Sequence, residues 1–174
     1  MHLFFGMEIN MHALPISQSA DNIVDYDLLV AQLEAVTEGE RDTVANLSNA
    51  SAILNMSLPH INWVGFYLVR NQQLVLGPFQ GKPACIRIDF GKGVCGTAAA
   101  TDTTQLVTDV HQFPGHIACD SASNSEIVIP LHHNGQIVGV LDIDSPLLAR
   151  FTKADQTGLE ACTRLLESAC DWGL

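Results

Sequence analysis

The chain has 174 residues, with eight Lys and Arg against nineteen Asp and Glu, a formal net charge of −11. It is 47% hydrophobic and 16% charged, too apolar for disorder, yet no apolar run approaches the ~20 residues that span a bilayer. The acidic balance argues against a broad contact with nucleic acid or anionic lipid, which needs clustered Lys and Arg, and the length suits one domain.

Residues 1–20 are expected to be a loose N-terminal arm, because Met1 to His12 lack the basic leader and long apolar stretch of a secretory signal. A single domain then fills 21–174. Its first helix is predicted over 25–37, where Tyr26, Leu29, Val30, Leu33 and Val36 form an apolar stripe at helical spacing and Gly39 ends it. A second helix over 40–57 carries Val44, Leu47, Leu54 and Leu58 on one face and stops at Pro59. The period then becomes two. Trp63–Val69, Gln73–Phe79 and Ala84–Phe90 read as strands, with Arg70-Asn71 at a hairpin tip, and Val94–Thr101 as a short helix beginning beside Cys95.

Gln105–Thr108 is a further strand, followed by a polar loop from Asp109 to Asn124 that carries Cys119; loops of this length in a compact domain usually serve function. Glu126–Leu131 and Gln136–Asp144 form a hairpin turned at His133-Asn134-Gly135. Thr152 opens a closing helix, with Asp155 three residues on as a capping-box partner and Leu159, Cys162, Leu166 and Ala169 on its buried face. The order predicts an α+β fold, a mostly antiparallel sheet with N-terminal helices and a C-terminal helix packed on it.

Gly91-Lys92-Gly93-Val94-Cys95-Gly96 matches the dinucleotide pattern G-x-G-x-x-G. That motif needs a βαβ unit with a longer helix, so these glycines are assigned to a turn between strand and helix. His111, His116 and Cys119 lie close in sequence, but their spacing is unlike a structural zinc site; a metal-dependent regulator built on them is a rival reading. His132-His133 reads as a solvated turn. The five cysteines form an odd set with no export signal, which fits a reducing cytosol. Cys162 and Cys170 read as small core hydrophobes. Cys85, Cys95 and Cys119 stand beside glycine turns or in the long loop, where thiols can meet solvent and exchange oxidation state.

From Asp89 to Ala149 seven carboxylates face only Lys92. Asp142 and Asp144 leave the same face of their strand, and Glu126 lies on the strand before it. Carboxylates packed this way cannot all ionise, so one keeps its proton near neutral pH; a sulfoxide is a poor electrophile until its oxygen accepts such a proton, after which a thiol can attack its sulfur. Trp63 and Tyr67 could wall an apolar S-methyl end, or be ordinary core.

Taken together, Asn62-Trp63-Val64-Gly65-Phe66-Tyr67, Gly77-Pro78-Phe79-Gln80-Gly81, the Gly91–Gly96 turn, the Cys119 loop, Ser125–Leu131 and Gly139–Ser145 resemble the free methionine-(R)-sulfoxide reductases, a catalytic branch of the GAF-domain proteins. The resemblance runs from about residue 25 to the C-terminus. It implies Cys119 as the attacking thiol, Cys85 as the main resolving thiol and Cys95 as an auxiliary one. It also implies Glu126, Asp142 and Asp144 as the acids that hold the substrate ammonium and engage the sulfoxide oxygen, and Trp63 and Tyr67 as the aromatic pocket. No metal and no cofactor are implied; thioredoxin or a similar dithiol would recycle the enzyme, in the cytoplasm, and two copies could pair as a homodimer through helices. The alternative is a non-catalytic GAF module that binds a small ligand without a reactive thiol.

Overall fold

The computed structural model describes residues 23–116 and 120–173. The expected arm at 1–20 and Cys119 lie outside the described residues. In chain order come α1 (Tyr26–Thr37), α2 (Thr43–Ser57), β1 (Trp63–Arg70), β2 (Gln73–Gly81), β3 (Arg87–Asp89), α3 (Gly93–Thr101), β4 (Gln105–Val107), a 3-10 turn at Val110–Gln112, β5 (Ser125–His133), β6 (Gln136–Ser145) and α4 (Lys153–Ala169). One sheet runs β3-β2-β1-β6-β5-β4 with every neighbour antiparallel, the α+β architecture expected. Among the described residues no helix is long and apolar enough to cross a membrane.

Local chemistry sets the element ends. Asp25 and Asp42 cap α1 and α2 by accepting the N–H groups of Leu28 and Ala45, and Thr152 with Asp155 forms the expected capping box of α4. Helix α2 begins at Thr43 rather than residue 40, because the Glu40 carboxylate accepts the N–H groups of Arg41 and Asp42 and holds them in a turn. Val44, expected on the buried face, is 60% exposed; it sits in the first turn and opens on a shallow groove beside Arg70 and Trp172. The β1–β2 hairpin turns at Asn71-Gln72, one residue later than expected, and β5–β6 at Asn134-Gly135. All four have positive φ, the signature of a type I′ turn. The strand expected over 84–90 pairs only at Arg87–Asp89.

Strand alternation divides the core between two faces. Val64, Phe66 and Leu68 of β1 pack with Leu29, Leu47 and Leu159 of the three long helices. Trp63, Tyr67, Val128 and Val140 face the other way, onto Val94 and Ala98 of α3. A short helix therefore covers one face and leaves room beside it for a site.

Helix α4 meets α1 at Gly158, where a Cβ would overlap the Tyr26 ring; the Tyr26 hydroxyl donates to Asp155 at 2.7 Å. Helix propensity alone would favour alanine here by ~1 kcal/mol. We expect the opposite sign: Gly158→Ala should destabilise by about 1–3 kcal/mol through overpacking, read as a lower urea midpoint with an unchanged m-value.

Candidate active site

Pairing register brings the acids together on the α3 face. In β1 and β6, Trp63 pairs with Asp144 and Gly65 with Asp142; in β5 and β6, Glu126 pairs with Asp144 and Val128 with Asp142. Trp63, Tyr67, Glu126, Asp142 and Asp144 thus project from three adjacent strands to one side. Gly65 lies among them, where a Cβ would overlap Phe79 and Trp63. Its bare backbone lets Phe79 stack on Trp63 at 5.4 Å between ring centroids, with Tyr67 at 6.0 Å on Trp63.

The depression between this face and α3 has two lobes. One, of about 30 Å³, is lined by Tyr67, Cys95, His116, Glu126, Asp142 and Asp144, with the first turn of α3 at its side. The other, of about 20 Å³, adds Trp63, Pro83 and Ala84. Glu126 and Asp142 are each 6% exposed, so the expected cover over these carboxylates is present. Cys95 differs from expectation. The glycine turn does not expose it; α3 carries it inward to 4% exposure, where its Sγ donates to Glu126 Oε1 at 3.9 Å.

Burial dominates the electrostatics. Desolvation, then the charges of Asp142 and Asp144, raise Glu126 well above the carboxylate range. Asp144 is raised in the same way by burial and then Asp142. Asp142 is pushed up to about 6 by burial, against hydrogen bonds from Cys95 and Glu126 that favour its anion. Burial, followed by Asp142 and Glu126, lifts the Cys95 thiol far above its usual range, so it stays protonated. One acid oxygen, Asp142 Oδ1, is buried without a hydrogen-bond partner. A pocket of three crowded acids with an unpaired acceptor suits a small cation.

Several contributors escaped the sequence reading. His116 Nε2 lies 4.0 Å from Glu126 Oε2, and burial, then His111, lowers its pKa. Proximity to Cys119 in the loop was the available signal, and it pointed to metal rather than to a pocket wall. His111 meets Asn124 Oδ1 at 3.0 Å. Asn62 donates to Asp120 and Ser123, and Lys82 pairs with Asp120 at 3.2 Å; these contacts tie the loop after Cys119 to the strand ends. The aromatic pair also holds the Cys85 segment. The Trp63 indole N–H donates to the Lys82 carbonyl and the Tyr67 hydroxyl to the Cys85 carbonyl, each at 3.0 Å. Cys85 is half-buried and in a disulfide, whereas Cys95, Cys162 and Cys170 carry free thiols.

The Gly91–Gly96 segment makes a turn, as expected: the Gly91 N–H donates to the Gly96 carbonyl at 2.7 Å, and a Cβ at Gly96 would overlap the Asp89 carbonyl. His132 is not a solvated turn. It lies on β5 between Asp102, 2.6 Å from Nε2, and Glu167, 3.1 Å from Nδ1, because the strand runs on past residue 131 and brings the ring under α4.

Comparison with known proteins places these features. The GAF domain model matches residues 27–170. The free methionine-R-sulfoxide reductase of Escherichia coli is 54% identical over 142 residues, 82% of this chain and 86% of that one. The same-named enzyme of Neisseria meningitidis, solved in complex with its substrate, superposes with a TM-score of 0.85 at 47% identity, covering 91% of this chain and 95% of that one. The reduced form of fRMsr of Staphylococcus aureus gives a TM-score of 0.84 at 53% identity, over 85% and 96% respectively.

Proposed function

Because this chain belongs to the GAF-domain proteins and, within them, to the free methionine-R-sulfoxide reductases, we propose that it reduces free L-methionine-(R)-sulfoxide to methionine through a thiol attack and an intramolecular disulfide. One observation carries the substrate assignment: Asp142 Oδ1, buried and unpartnered, sits beside two further buried acids. An ammonium group satisfies it and favours the Asp142 anion, while a neighbouring acid keeps its proton for the reaction. The first turn of α3, with Lys92 beside it, gives the cavity a positive edge suited to the substrate carboxylate. A site that grips both ends of an amino acid selects the free form over a peptide residue. The Trp63–Tyr67 wall receives the S-methyl end.

In the reaction, Cys119 attacks the sulfoxide sulfur while a neutral acid, Glu126 or Asp144, gives its proton to the oxygen. The transient bond between the two sulfurs and the methionine S–O bond then break as the hydroxyl passes to the Cys119 sulfur, so methionine leaves with its electron pair restored and Cys119 is a sulfenic acid. Cys85 then attacks the Cys119 sulfur; water departs and a Cys85–Cys119 disulfide remains. Thioredoxin or a similar dithiol returns two electrons and two protons. The cysteine inventory supports this division, since Cys85 is bonded while Cys95 is free and locked as a thiol by its acidic surroundings. Assay of both sulfoxide epimers, free and in a peptide, with a dithiol reductant tests the proposal. Consumption of the free R epimer alone is expected; no consumption, or preference for the peptide, would refute it.

The hydrogen bond to the Cys85 carbonyl gives Tyr67 a second role. Tyr67→Phe keeps the ring wall but frees that carbonyl. The expected result is a KM within about twofold of the parent and disulfide formation slowed ~5- to 10-fold, the worth of one hydrogen bond, measured by rapid quench and thiol labelling.

A further inference from the structure

We propose that Cys95, Glu126 and Asp142 form a binding site for a borderline-soft divalent metal ion of the Zn²⁺ or Cd²⁺ class, which shuts the pocket reversibly. The three side chains come from α3, β5 and β6, and their donor atoms all lie within 4.8 Å of one another. Tetrahedral zinc, with bonds of about 2.3 Å to sulfur and 2.0 Å to oxygen, sets neighbouring sulfur and oxygen ligands ~3.5 Å apart. Cys95 Sγ and Glu126 Oε1 stand at 3.9 Å, so a small contraction suffices. Independently of that spacing, the buried Asp142 Oδ1 lacks a partner, and a cation supplies one. Water takes the remaining position, as in open three-ligand zinc sites.

The donor set chooses the ion. Mg²⁺ and Ca²⁺ require six or more oxygens, whereas one sulfur with two carboxylates suits Zn²⁺ or Cd²⁺. As the metal binds, the Cys95 thiol proton and the proton held by Glu126 leave to solvent; no electron is transferred. The ion then occupies the acids assigned above to the substrate ammonium, so inhibition competitive with substrate follows, and this consequence alone rests on the reductase reading.

The test is a Cd²⁺ titration of the full chain in its disulfide form, where Cys85 is bonded and Cys162 and Cys170 are sealed in the core. The readout is the ultraviolet sulfur-to-cadmium charge-transfer band together with bound metal by equilibrium dialysis. One ion per chain is expected, with the band lost in Cys95→Ala, unchanged in Cys162→Ala, and shifted to at least ~10-fold higher Cd²⁺ in Glu126→Gln, which keeps the thiol. No band in the parent protein, or a band indifferent to both Cys95→Ala and Glu126→Gln, overturns the site. Because the band needs no turnover, it decides the metal site even if the sulfoxide is not consumed. A band that behaves as expected without inhibition would uphold the metal site and refute the role of these acids in binding substrate.

Discussion

Cys119→Ser should lower methionine formation by ~10³-fold or more, whereas Cys85→Ser should yield a burst of about one methionine per chain and then stall with a thioredoxin-type dithiol. The asymmetry follows from the order of bonds. The attacking sulfur takes the oxygen, so without it nothing leaves; the resolving sulfur acts after methionine has gone, so its loss strands the enzyme as a sulfenic acid. Cys95 cannot substitute in the resting enzyme, because burial and two neighbouring carboxylates keep it protonated and the thiolate is the nucleophile. The measurement is methionine released in the first turnover against later ones, with a sulfenic-acid trap on Cys85→Ser. If Cys119→Ser kept the parental rate and Cys95→Ser abolished it, the nucleophile would be Cys95.

Asp142→Asn should impair substrate binding and stabilise the fold at the same time. Loss of a buried charge-assisted contact of ~2–3 kcal/mol corresponds to a KM higher by about 30- to 150-fold. The stability change has the opposite direction. Asp142 is raised from 3.8 to about 6 in the folded protein, so between those values the folded state binds more protons than the unfolded chain, and stability falls as pH rises through that window. At pH 7 the folded protein carries that penalty in full; asparagine, neutral and of the same shape, removes it for a gain of ~1–3 kcal/mol. Urea unfolding at pH 4 and pH 7 checks it: the parent and variant should differ little at pH 4 and clearly at pH 7. Equal stability at both pH values would mean that Asp142 is not strained by its surroundings.

Much of the fold was legible because its signals are local. The period-two runs at 63–69 and 126–131, the Asn134-Gly135 turn and the Thr152–Asp155 box each specify structure within a few residues. The failures are equally local. Glu40 moved the start of α2 by capturing two N–H groups, and the strand expected over 84–90 contracted to Arg87–Asp89, where pairing with Gln73–Val75 begins. The acids of the site were legible as one face of a strand, since Asp142 and Asp144 are two apart. Their meeting with Trp63 was not, because it depends on a register between strands almost half the chain apart. The same holds for His116 and for the Tyr67 bond to the Cys85 carbonyl, which only tertiary packing brings together.

The two strands at the rims of the sheet, β3 and β4, are three residues each, while the long strands β1, β5 and β6 that carry the chemistry lie inside. A growing fibril needs an extended free border to copy, and these short ends offer little template for one. The central strands β1 and β6, paired on both sides along most of their length, are thereby kept from templating other chains.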